Sequence, residues 1–186
     1  MRRKKLLLAS LMAWLLVCGD QPAGAQAPWS TNITIRNPDP AKWTGSSIFR
    51  GSTGEFNCRP LACSDPARVT ASMSESPTRD PDPKALAKLV SAIPESLVRA
   101  NTKLTAAGRK LELLSSGTTT LRAYPAIVKE LRMADKTGPV YLCEARMFIK
   151  FVQLSISSYS SSLELARRNR DLFIKAMVVE HTPGPR

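Results

Sequence analysis

VYLCEARMFIKFVQLSI, running from Val140 to Ile156, decides the fold, because it is strongly apolar yet carries no helical stripe. Phe148, Val152, Leu154 and Ile156 fall on one side of an extended chain, and Ile149 and Phe151 on the other. A strand with that pattern has both faces at least partly covered. Upstream, Asp135-Lys136-Thr137-Gly138 reads as a hairpin turn with its glycine late. Residues 118–133 then form the partner strand, with Leu121, Ala123, Ile127 and Leu131 on one side. Pro125 cannot donate to a ladder and belongs at an edge or a bulge. Before it, Lys110 to Leu114 is a short strand turned by Ser115-Ser116-Gly117.

Two helical patterns flank these strands. Asp82-Pro83 supplies a cap acceptor and a residue suited to the first helical position. Leu86, Leu89, Val90, Ile93, Leu97 and Ala100 then recur at helical spacing, and Pro94 kinks the helix over 83–105 or splits it in two. Downstream, Ser161-Ser162-Leu163-Glu164 is a capping box, with Ser161 as the cap and Glu164 reaching back. Leu165, Ala166, Leu172, Phe173, Ala176 and Met177 make the apolar stripe of a helix over 161–180, with Asn169 inside it. Residues 181–186 read as a flexible tail. Residues 26–82 read as an extended segment with short strands, Trp43 and Ile48-Phe49 offering an edge strand. Within it, 64–83 is a polar loop whose only strand piece is Arg68-Val69-Thr70-Ala71. The expected class is α+β: an antiparallel sheet of four to five strands with both helices packed on it, centred on residues 83–180.

Leu-Arg-Ala-Tyr-Pro at 121–125, a strand, a turn, a long strand ending in Ser157-Ser158 and a closing amphipathic helix follow one another. That order resembles the PsbP-like and DcrB-like exported domains over roughly residues 83 to 180. The resemblance implies an accessory or binding protein without enzymatic activity. It rests on element order, so it transfers no site residues.

The first 25 residues read as an export signal. Arg2, Arg3, Lys4 and Lys5 precede an apolar run from Leu6 to Val17, and Ala23-Gly24-Ala25 offers a cleavage site. The run is shorter than the roughly 20 residues a membrane-spanning helix needs. The expected location is therefore periplasmic or secreted, with a lipoprotein anchored through Cys18 as the alternative. Cleavage leaves Gln26 to Arg186, with 23 Lys and Arg against 14 Asp and Glu, a net charge of +9. An exported basic protein is expected to meet an envelope protein or an anionic envelope polymer rather than nucleic acid. In an oxidising compartment Cys58 and Cys63 are natural partners across Arg59-Pro60-Leu61-Ala62, leaving Cys143 buried and free. A bridge from Cys143 to Cys58 or Cys63 is the alternative. Three cysteines at this spacing and one histidine make no tetrahedral set, so neither a metal nor a cofactor is expected.

Catalytic residues are hard to find. His181 lies in the tail, no base activates Cys143, and no nucleophile elbow surrounds the serines at 155–162. Glu130 and Glu144, facing each other across the hairpin, would be the pair for a glycan hydrolase. The competing expectation is a basic binding surface built from Arg122, Arg132, Arg146 and Lys150 on the hairpin and extended by Arg167, Arg168 and Arg170 from the last helix. Binding without enzymatic activity is the leading expectation and hydrolysis the runner-up.

Overall fold

The computed structural model describes residues 29–49, 52–63, 65–76, 80–105, 108–135 and 138–183. The expected signal peptide over 1–25, Cys18, the middle of the 135–138 turn and the end of the tail lie outside the described residues. The α+β class holds, with far more strand than the four to five segments expected. The order is β1 (Trp29–Ile35), β2 (Trp43–Thr44), β3 (Ile48–Phe49), β4 (Thr53–Cys58), β5 (Ala67–Glu75), α1 (Pro83–Ser91) and α2 (Ile93–Thr105). It continues with β6 (Lys110–Leu121), β7 (Tyr124–Asp135), β8 (Gly138–Ile149), β9 (Val152–Ser160), α3 (Leu163–Lys175) and β10 (Met177–Pro183). Seven strands form one sheet in the order β2-β4-β5-β9-β8-β7-β6, and three form a second in the order β10-β1-β3.

Several boundaries differ from the sequence reading for identifiable reasons. Ser115-Ser116-Gly117 is no turn: β6 runs through it, with a register shift between Leu113 and Ser115. The chain turns instead at Arg122-Ala123, with φ of +50° and +67°, and again at Lys150-Phe151, with φ of +42° and +66°. Positive φ at both central residues is the hairpin pattern that normally recruits glycine or asparagine. Neither pair announces itself, so each of the two long expected strands is in fact cut in two.

The expected loop at 64–83 contains β5, a nine-residue strand held between β4 and β9. Ala67, Val69, Ala71 and Met73 are buried along it, alternating with Arg68, Thr70, Ser72 and Ser74. Small and polar residues have weak strand propensity alone, but two flanking strands override it.

Pro94 acts as anticipated, since α1 ends at its cap Ala92 and α2 starts at Ile93. Asp82 accepts from the Ala85 N–H at 2.7 Å, with Pro83 opening the helix. At the last helix the cap is Ser162, not Ser161, and it accepts from the Leu165 N–H at 3.2 Å. That helix also stops at Lys175 rather than near 180. Met177-Val178-Val179 then leaves as β10 to pair with β1 along its whole length, so His181 sits in a strand and not in a frayed tail. Leu172 belonged to the expected stripe but is partly exposed, while Ile174 is buried in its place.

The main core lies between the seven-stranded sheet and α3, which packs on β9, β8 and β5. Phe173 is fully buried there, edge-on to Trp43 at 5.1 Å and tilted against Phe56 at 4.7 Å between ring centroids. On the opposite face α1 sets Leu86 against Ile127 and Phe148. Nearby, Asn101 on α2 clamps edge strand β6, donating to the Leu111 carbonyl at 2.8 Å and accepting its N–H at 2.7 Å. Cys58 and Cys63 are bridged, with Cα atoms 6.2 Å apart, and Cys143 is a buried free thiol.

Candidate binding surface

Strand register sorts the sheet's side chains into two faces. Ala126, Met147, Leu154 and Met73 stand in one row and Val128, Ala145, Ile156 and Ala71 in the next, all toward α3. The intervening residues point the other way. They form the rows Thr118-Ile127-Arg146-Ser155-Ser72 and Ser116-Lys129-Glu144-Ser157-Thr70. On that side α1 and α2 pack on β6 and β7, leaving β5, β9 and much of β8 uncovered. The result is an open, half-exposed surface rich in hydroxyls.

Its charges are organised around two carboxylates, Glu144 and Glu55. Lys129 Nζ lies 2.9 Å from Glu144 Oε2, and Arg146 Nη2 lies 3.3 Å from Glu144 Oε1. The Arg146 Nε–H has no protein acceptor, although it is shielded from solvent. Arg68 lies 4.5 Å above the Tyr159 ring and 3.6 Å from Glu55. Three cations therefore face two carboxylates amid neutral donors and acceptors. Such a surface can hold an anionic, hydrogen-bonding ligand at several points.

The seven bases expected to gather do not share one surface. Arg146 lies on the open face, but Arg132, which pairs with Tyr141, points to the α3 side and lies 3.7 Å from Glu112. Arg122 sits in a turn and donates to the carbonyls of Ile174 and Met177, tying that turn to the C-terminal end of α3. Lys150 sits in the other turn at the same end of the sheet. Arg167 holds Glu130 with two bonds, Nε to Oε1 at 2.7 Å and Nη2 to Oε2 at 2.6 Å. Arg170 lies 2.8 Å from Asp171, and Arg168 borders a hollow beside the disulfide loop. Arg68, Tyr159 and the hydroxyl rows were missed. Their signal was the alternation of polar residues along β5 and β9.

The groups considered for chemistry are separated or quenched. Lys129 pairs with Glu144 and Glu130 with Cys143, so the two glutamates lie on opposite faces of the sheet. Burial, foremost, pushes the Cys143 thiol up to about 11, with the Glu130 charge adding to it. Native protein is therefore expected to leave Cys143 unmodified by a thiol reagent, with full reaction on unfolding; fast labelling of the folded state would contradict this burial. His181 Nδ1 lies 3.2 Å from the Thr31 hydroxyl and Nε2 3.5 Å from that of Tyr124. Burial and then Lys150 hold its pKa below the usual value. No cluster of three metal-capable side chains and no helix long and apolar enough to cross a membrane occurs among the described residues.

The bidentate bond from Arg167 holds the Glu130 carboxyl below its ordinary value of 4.5, against the opposing effect of burial and with help from Ser115. A depressed folded pKa means this group favours folding above the unfolded value, and the contribution is lost as pH falls through the folded one. Urea midpoints are expected to drop on acidification below the unfolded carboxyl range. In Glu130→Gln the drop should be visibly shallower; an identical acid limb would remove Glu130 from that role.

No family model matches the sequence, and no curated protein matches it either. Among solved structures, the chain is similar to a Pseudomonas aeruginosa protein of unknown function described as a putative regulator. That match has 11% identity and a TM-score of 0.44, and covers 73% of this chain and 93% of the other. It is also similar to the cyanobacterial PsbP (CyanoP) of Synechocystis sp. PCC 6803, at 12% identity and a TM-score of 0.47, over 88% of this chain and 99% of that one.

Proposed function

We propose that the protein is a non-enzymatic exported binding module, periplasmic or secreted, that holds an anionic envelope polymer on the open face of its large sheet. The observation that carries this reading is the pair of rows, uncovered over β5, β9 and much of β8, in which Lys129 and Arg146 stand beside Ser72, Ser155, Ser157 and Thr70, with the Arg146 Nε–H left unpaired. Strands lie about 4.8 Å apart, so these rows repeat donors at a spacing a polymer can follow. A glycan hydrolase would need a carboxylate pair across one cleft, and Glu130 and Glu144 stand on opposite faces.

Titration of labelled protein with heparin, as a surrogate polyanion, tests the reading by NMR. Shifts are expected at Ser72, Arg146, Ser155 and Ser157, with affinity falling as salt rises. Arg146→Glu should weaken binding about tenfold or more, a change of about 1.4 kcal/mol. Shifts confined to the outer surface of α3, or binding insensitive to salt, would overturn it.

A further inference from the structure

A second polar site lies away from the open face, where α3 meets the Cys58–Cys63 loop. Two adjoining hollows share Asp65, Leu165 and Arg168. The inner, about 90 Å³, adds Lys42 and Asn169; the outer, about 230 Å³, adds Ser162 and Glu164.

Two features bear on what could sit here. Lys42, Asp65, Glu164 and Arg168 carry both signs of charge, yet none is within ion-pair distance of a partner among the described residues. Asn169, only 3% exposed, lines the inner hollow and makes no side-chain hydrogen bond among the described residues. Its amide opens onto that hollow and offers both a donor and an acceptor to whatever occupies it.

The walls are fixed in advance. Lys42 precedes the buried Trp43, and the Arg59 N–H donates to the Lys42 carbonyl at 2.9 Å. The disulfide then holds Ala62 and Cys63 against the inner hollow.

We infer that these hollows bind a small zwitterion, a free amino acid, with its carboxylate inward and its ammonium outward. Inside, Lys42 and Arg168 outnumber Asp65, and the Asn169 amide adds a donor. Outside, Asp65 and Glu164 outnumber Arg168, and Glu164 stands in the first turn of α3, where the helix dipole favours a negative charge. An anion alone would leave both carboxylates unpaired, and a cation alone would face Lys42 and Arg168. Only a ligand with both charges satisfies all four groups.

The test follows the Asn169 side-chain amide resonances and binding heat during titration with L-alanine, acetate, methylammonium and glycylglycine. L-Alanine should shift the amide and saturate, with acetate and methylammonium at least about tenfold weaker, or about 1.4 kcal/mol. Arg168→Ala and Lys42→Ala should each lower alanine affinity by a similar factor, while Arg132→Ala leaves it unchanged. Arg168 is exposed, so its variant is expected to keep the native circular dichroism spectrum. Acetate binding as tightly as alanine would make this a plain anion site and overturn the inference. Tighter binding of glycylglycine would assign the hollows to a peptide end instead. An Asn169 amide unmoved by every probe would also overturn it.

Discussion

Phe173→Ala is expected to cost about 3–5 kcal/mol, the range for emptying a buried aromatic site. The ring is fully buried between Trp43 and Phe56, so removing it separates α3 from two strands of the sheet at once. Neither neighbour can collapse freely into the cavity, since Trp43 is held by the β2–β4 pairing and Phe56 by β5. The comparison is Arg168→Ala, which removes an exposed side chain and should cost under about 0.5 kcal/mol. Chemical denaturation of the two variants side by side measures both. Near-equal losses would mean that α3 is not anchored through Phe173.

Truncation after Ala176 should do still more damage. It removes β10, and with it the buried Met177 and the partner of β1 from Trp29 to Ile35. Met177 alone is worth about 2–5 kcal/mol on truncation to alanine. β1 carries Ile33 and Ile35, both buried, and would keep only its short pairing with β3. A single domain has about 5–15 kcal/mol of stability in all, so the loss of a paired strand approaches the whole. The truncated chain is expected to unfold without a cooperative transition and to be cut rapidly by protease within residues 29–35. A truncated chain with an unchanged melting midpoint would show that β10 contributes nothing to the core.

Where the sequence carried a local chemical instruction, it could be read. Asp82-Pro83 starts a helix, Pro94 breaks one, and the four-residue spacer between Cys58 and Cys63 closes a bridge. What escaped depends on partners remote in sequence. Residues 172–177 keep a helical period to the end, and only β1, some 150 residues away, converts Met177 onward into strand. The surface suffered from the same cause. Arg132 and Arg146 look equivalent by number, but the β7–β8 register puts them on opposite faces, because one residue of register inverts a strand. The turns at 122–123 and 150–151 use residues without a turn signature, so the strands on either side merged when read alone. Arg146 was therefore found, while the hydroxyls of β5 and β9 around it were not.

The pairing of β1 with β10 also sets an order of assembly. β6 to β9 form successive hairpins, each closable soon after its residues are made. β1 must wait for a strand about 150 residues later, and closing so long a loop costs about 4 kcal/mol of chain entropy. During synthesis the first described strand thus stays unpaired along β10's length until the last described strand has emerged. The β10-β1-β3 sheet is therefore completed only once β10 has been made. Until β10 has been made, β1 can pair only through Thr34 and Ile35, with the two residues of β3.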